Sequence, residues 1–321
     1  MNENFEQMLM QYMNFTAQKQ NDMLLHIDAL TKISRYDEWQ KLVQSSKIDK
    51  KLNQFGFRVF SQEDQDGIIE YLCKKLKIEK GAAIEFGCGD GECNNTHYLL
   101  IKGWKCCWID CNEDNIKKIQ QHYFNTNYQN SSRLHVINSL VTTENINSLM
   151  SVCLEQMNTT DLDILSIDTD WTDYWLLKAL SIRPKIIVIE YNSSIPPNLS
   201  LVVPKNVPYG WTGNNYFGNS FKAICDVAYD KEYTLVGSNL GGNDLFFVRT
   251  DILDKFTNQE HAPMYKFFVN EDLGDYEVKI WPRHLLDNLY EVPKYELCYT
   301  KGHNPGLENF QLLGDSENVK I

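Results

Sequence analysis

From residue 82 onward, short apolar runs alternate with amphipathic stretches. The runs 82–86, 105–110, 134–138, 162–167 and 185–190 read as strands buried on both faces. Between them, 92–102, 113–125, 144–157 and 173–182 carry apolar residues at helical spacing. This alternation predicts parallel strands, right-handed crossovers and helices on both faces of the sheet. Ligands then bind outside the carboxyl ends of the strands. A helix at 220–230 and strands at 234–236 and 244–249, around the turn Asn239-Leu240-Gly241-Gly242-Asn243, extend the pattern with a hairpin-like pair. The stretch 191–219 has no periodicity and holds Pro196, Pro197, Pro204 and Pro208. A loop that long inside a compact domain is usually functional.

The flanks read differently. Residues 1–55 contain no proline and no glycine, and Met23, Ile27, Leu30 and Ile33 fall at helical spacing, so helices are predicted there. Met1, Met8, Met10 and Met13 suit a packing surface, and a homo-oligomer through these helices is an expectation. Ser61 followed by Asp64, ahead of Ile68, Ile69, Leu72 and Leu76, has the form of a capping box. Beyond 250, a helix near 251–259 and a strand at 294–300 are predicted. The division is an N-terminal helical extension (1–59), a core (60–252) and an appended C-terminal segment (253–321).

Composition narrows the function. The chain has 321 residues, 43% of them apolar, which suffices for a sizeable core. A net charge of -12 argues against binding a nucleic-acid backbone. The absence of an 18-residue apolar run argues against a membrane span. Residues 1–20 are polar and do not form a secretory signal. There are nine cysteines, with no Cys-x-x-Cys spacing, and Cys88, Cys93, Cys106, Cys107 and Cys111 lie on or beside strands. Reduced thiols in a cytoplasmic protein account for this pattern.

Three constellations carry candidate chemistry. Glu85-Phe86-Gly87-Cys88-Gly89-Asp90-Gly91 follows the first strand, and glycine is needed where backbone bends sharply or approaches a ligand. Glu92 stands where the dinucleotide pattern Gly-x-Gly-x-x-Gly requires its last glycine. Asp110 closes the second strand 19 residues after Gly91, where an acid can accept both hydroxyls of a ribose. Asp168-Thr169-Asp170 closes the fourth strand, with Asp168 and Asp170 on the same side of an extended segment, and Glu190-Tyr191-Asn192 closes the fifth. Such an oxygen-rich set suits a hard divalent cation; the alternative is carboxylates that bond loop backbone or substrate hydroxyls. Asp163 reads as a strand-start acid and His97 as a structural residue. The loop carries Tyr191, Asn192, Tyr209, Trp211, Asn214, Asn215 and Tyr216 with Lys205 as its charge, which suits a neutral polyhydroxyl or flat substrate.

Glu-x-Gly-x-Gly-x-Gly resembles motif I of the class I S-adenosylmethionine (SAM) methyltransferases. Ser61-Gln62 with Asp66-Gly67, the segment 163–170, and 216–224 with 237–248 are similar to the FkbM-like members of that class. The resemblance implies a Rossmann-like seven-stranded sheet, mostly parallel with an antiparallel last strand. It implies that Glu85 orients the glycine loop or approaches the methionine amino group. Gly87, Gly89 and Gly91 would line the cofactor, Asp110 would hold the ribose, and Ser139 and Leu140 would border the adenine. Asp168 and Asp170 would be catalytic, near the transferring methyl. The metal-dependent catechol and macrolide-sugar O-methyltransferases take ligands from the same two strand ends, which implies Mg²⁺ held by Asp168, Asp170, Glu190 and Asn192. Their strand-five ligands are adjacent, whereas Tyr191 intervenes here. The expectation is O-methylation of a small-molecule or sugar hydroxyl. Its rivals are an Asp-x-Asp metal-dependent glycosyltransferase, in which the glycine motif has no place, and a non-catalytic binding or assembly module.

Overall fold

A computed structural model of the chain describes residues 52–124, 133–193, 195, 200–205, 217–239, 242–253 and 311–312. Of the helices predicted within 1–55 only a single 3-10 turn, Leu52–Phe55, lies in the described residues; the rest, the strand at 294–300, most of the helix near 251–259 and the loop residues Tyr209, Trp211, Asn214, Asn215 and Tyr216 fall outside them.

Five parallel strands form the centre: β1 Ala82–Phe86, β2 Lys105–Asp110, β3 Leu134–Asn138, β4 Ile164–Ile167 and β5 Ile186–Glu190. A short β6 (Leu201–Val202) lies in the stretch expected to be irregular and pairs with β9 (Gln311–Leu312). Strands β7 (Tyr233–Ser238) and β8 (Asp244–Arg249) complete a seven-stranded sheet of order β3-β2-β1-β4-β5-β8-β7. Within this sheet β8 alone is reversed relative to the other six strands. That order and direction are those of the class I methyltransferase sheet, the fold the sequence resemblance implied.

Every residue of β1, β4 and β5 is buried, as expected of strands covered on both faces. Alternation then divides the core. Ile84, Phe86, Leu165, Ile167, Ile187 and Ile189 pack under helices α4 (Ile146–Gln156), α5 (Asp173–Ala179) and α6 (Phe221–Asp230). Ala83, Cys106, Trp108, Ile164 and Val188 face α1 (Gln65–Leu76), α2 (His97–Ile101) and α3 (Glu113–Phe124). Each fully buried Ile, Val or Phe contributes roughly 1.5–3 kcal/mol. The end of β8 leads into a single turn, α7 (Thr250–Leu253).

Two local expectations are corrected. The helix predicted at 92–102 starts at His97, because residues 92–96 belong to the loop leaving β1. The Ser61–Asp64 capping box does not form: Asp64 makes no side-chain cap, and helix α1 starts at Gln65. Instead Asp66 Oδ2 accepts the backbone N–H groups of Val59, Phe60 and Ser61 at 2.7–3.0 Å, while Ser61 Oγ accepts the Asp66 N–H at 3.2 Å. The reciprocal bond exists, shifted by two residues.

Candidate functional site

The loop between β1 and α2 is held by carboxylates from two strands. Glu85 is buried, and its two oxygens accept the N–H groups of Asn95 (2.8 Å) and Thr96 (2.9 Å) and the Thr96 hydroxyl (2.5 Å). Those bonds fix the entry to α2, so Glu85 orients the loop. Burial raises its pKa from 4.5 to about 7, and the three donors pull the other way. Asp110 takes the loop from the other side. Its Oδ2 accepts the Gly89 N–H at 2.9 Å, and its Oδ1 accepts the Asn112 N–H at 2.7 Å.

The three glycines are required for different reasons, and all have positive φ. A Cβ at Gly87 would lie 1.6 Å from the Asp168 carbonyl oxygen, so Gly87 lets the ends of β1 and β4 touch. A Cβ at Gly91 would press on Tyr123, Ile119 and Trp108 at 3.1–3.2 Å. At Gly89 a Cβ would meet nothing within 4 Å: this glycine borders open space. The loop thus presents a bare backbone surface at the carboxyl edge of the sheet, next to the Asp110 carboxylate. Ser139 and the exposed Leu140 lie beyond β3 at the same edge, and the Ser139 N–H donates to the Asp110 carbonyl at 3.0 Å.

Against Gly87, where β4 ends, stands an acid cluster. One carboxylate oxygen from each of Asp168, Asp170 and Glu190 lies within 4.8 Å of the other two. The route differs from the extended segment expected: Asp170 has φ +61, and this left-handed residue turns the chain so that both aspartates reach Glu190. The turn is braced by Asp173 at the start of α5, whose Oδ1 accepts the Thr169 N–H and hydroxyl, each at 2.8 Å. Asn192 is buried and donates from Nδ2 to the Phe217 carbonyl at 3.0 Å, so its amide anchors the loop beside Glu190.

Electrostatics sets this cluster apart. Glu190 Oε2 is buried and finds no hydrogen-bond partner among the described residues. Burial, then the neighbouring Asp168, Asp173, Asp170 and Asp244, hold the Glu190 carboxyl well above the usual range. Asp168 is raised in the same way by burial and by Asp244, Asp170, Asp173 and Glu85. Carboxylates this close repel unless protons or a cation intervene. The donor set is all oxygen, which suits a hard divalent cation.

Some participants were not legible as site residues. Asp244 lies opposite Glu190 in the β5/β8 pair and accepts the Gln65 amide at 2.5 Å. Asn95 donates to Ser166 Oγ at 3.1 Å. The polar run Asn94-Asn95-Thr96 before an apolar stretch was the available signal for the late start of α2. Asp163 is the strand-start acid expected: it accepts the Ala82 N–H at 2.9 Å and pairs with Lys185 at 2.6 Å.

No family model matches the chain, and no curated protein is similar to it at a significant level. Among solved structures, it is similar to a candidate caffeoyl-CoA O-methyltransferase from Staphylococcus aureus at 12% identity and TM-score 0.39, covering 74% of this chain and 98% of that one. The N-terminal domain of EvdMO1, with SAH bound, is similar at 13% identity and TM-score 0.37 over 66% of this chain and 95% of that one. A TehB-like SAM-dependent methyltransferase from Corynebacterium glutamicum is similar at 12% identity and TM-score 0.33, over 68% and 98%. Likenesses this distant carry no function, and the fold is assigned by strand order and direction. No helix among the described residues is long and apolar enough to cross a membrane.

Proposed function

We propose that this protein is a SAM-dependent methyltransferase whose catalytic unit is 60–252, and that it methylates a hydroxyl of a small molecule or carbohydrate. The observation that carries the reading is the open face of Gly89, with its N–H held by the adjacent Asp110 carboxylate. This is a backbone cradle that any side chain would fill, beside an acid able to accept ribose hydroxyls. The resemblance of 85–91 and 163–170 to FkbM-like methyltransferases supports it.

When bound, SAM supplies an electrophilic methyl group, and the protein's task is alignment. Gly87, Gly89, Gly91 and Asp110 would hold the cofactor, with Ser139 and Leu140 toward its adenine. Asp168 and Asp170 would stand on the acceptor side, where β4 ends against Gly87. The orphaned Glu190 oxygen and the all-oxygen donor set fit a divalent cation held by Asp168, Asp170 and Glu190, with Asn192 supporting the loop beside them. Such a cation, when bound, supplies charge that lowers the pKa of an acceptor hydroxyl. Without it, Asp168, at the end of β4 against Gly87, would take the hydroxyl proton itself.

The test is methyl transfer from methyl-labelled SAM to a panel of polyhydroxyl and catechol-like acceptors, with and without chelator. Label in an acceptor confirms the enzyme. SAM binding without transfer to any acceptor favours a binding module, and label appearing on nitrogen alone overturns the hydroxyl assignment.

A further inference from the structure

The carboxylates that hold the glycine loop act from its sides. A different contact acts from beneath. Tyr123, buried near the end of α3, donates its hydroxyl to the Gly91 carbonyl at 3.0 Å. The same hydroxyl lies 3.2–3.3 Å from the ring nitrogens of His97. Tyr123 also packs edge-on against Trp108, with ring centroids 5.3 Å apart. Gly91 rests directly on this floor, as the close approach of a Cβ there shows. The Gly91 N–H in turn donates to the Cys88 carbonyl at 3.1 Å, closing the turn that contains Gly89.

Resting on the SAM reading, we infer that Tyr123 is a positioning residue for the cofactor. Its hydroxyl fixes the Gly91 peptide, and through the 88–91 turn it fixes the open face of Gly89. Asp110 ends β2, and Tyr123 lies on α3, the helix that follows. One strand–helix unit therefore holds Gly89 through its N–H and Gly91 through its carbonyl. The loop's position is defined against that unit at two points of the turn, Gly89 inside it and Gly91 at its end.

Tyr123→Phe keeps the ring and removes the donor. SAM affinity, measured by calorimetry on the full chain, should weaken roughly three- to tenfold, the range expected for one lost hydrogen bond. The KM for SAM should rise with kcat unchanged. Amide hydrogen exchange at Gly89 and Gly91 should accelerate in the folded variant while that of β2 stays slow. Ile119→Val trims the same floor without touching the hydroxyl, and should leave SAM affinity as it is. Wild-type affinity in Tyr123→Phe overturns the inference. So does an equal loss in Ile119→Val, which would make packing the cause. A Tyr123→Phe variant too unstable to titrate still reports through exchange: unchanged protection at Gly89 and Gly91 relative to β2 overturns it too. If the wild-type protein does not bind SAM, both this inference and the reading beneath it fall.

Discussion

The same alanine substitution should mainly cost binding at Gly89 and stability at Gly87. Both have positive φ, +54 and +73, so alanine at either carries left-handed strain of about 1–2 kcal/mol. They differ in what a Cβ meets. At Gly89 there is nothing within 4 Å, so strain is the whole effect on the free protein. In a domain of this size that corresponds to a Tm lower by about 2–8 °C. At Gly87 the Cβ would lie 1.6 Å from the Asp168 carbonyl oxygen. Backbone cannot swing aside as a flexible side chain does, so the ends of β1 and β4 must part. The loss should exceed about 3 kcal/mol once overpacking is added to strain. Binding should invert the order of interest. Gly89→Ala leaves a folded protein whose cradle is filled, so SAM affinity should fall by at least about tenfold, or 1.4 kcal/mol. Thermal unfolding and calorimetric titration of the two variants measure both halves. A well-folded Gly89→Ala that binds SAM like the wild type would refute the cradle. Equal stability of the two variants would refute the packing of Gly87 on β4.

Asp110→Ala should weaken SAM binding by about 1–3 kcal/mol with the fold retained, since a charged acceptor and the anchor of the Gly89 N–H go together; calorimetry showing unchanged affinity excludes the ribose role. Chelator should stop methyl transfer and leave SAM binding nearly intact, with Mg²⁺ or Mn²⁺ restoring activity, and Asp168→Asn should lower activity more than Asn192→Ala. Activity indifferent to chelator but lost in Asp168→Asn would reject the cation and leave Asp168 as the base. Stability should also carry a pH signature from Asp66 and Glu85. Burial raises Asp66 from 3.8 to about 6 and Glu85 from 4.5 to about 7. Both bind protons more tightly folded than unfolded, so their contribution is greatest below the unfolded values and is lost as pH rises through about 6 and about 7. Raising one such group from 3.8 to about 6 corresponds to about 3 kcal/mol. Between pH 5 and 8 the wild-type Tm should therefore fall relative to Glu85→Gln; a constant difference would show that Glu85 titrates normally.

The inner strands β1, β4 and β5 were legible because burial on both faces forces continuous apolar runs, and β1, β2, β3 and β8 have the bounds their runs predict; β3, at the sheet edge, departs from that expectation in burying only Leu134 fully. The glycine loop and the strand-end acids were legible for a related reason: polar residues that interrupt buried strands must find partners or a ligand. The partners themselves were not. Helix α2 starts late because Glu85, ten residues earlier, captures the N–H of Asn95. Nothing local to Glu92 announces that bond. An extended reading of 168–170 misses the left-handed turn at Asp170, φ +61, which no local residue pattern marks. Gln65 and Asp244 meet across 179 residues, and Tyr123 reaches Gly91 across 32. Contacts at such separations depend on strand order, which periodicity does not encode.

The cofactor assignment is tested most directly by titrating the purified protein, in a calorimeter, with SAM and separately with a panel of nucleotide sugars. A SAM-dependent methyltransferase should bind SAM at one site per chain, show no heat with any nucleotide sugar, and lose the SAM signal in Gly89→Ala. Nucleotide-sugar binding without SAM binding would contradict the assignment and return the Asp168-Thr169-Asp170 motif to the glycosyltransferase reading.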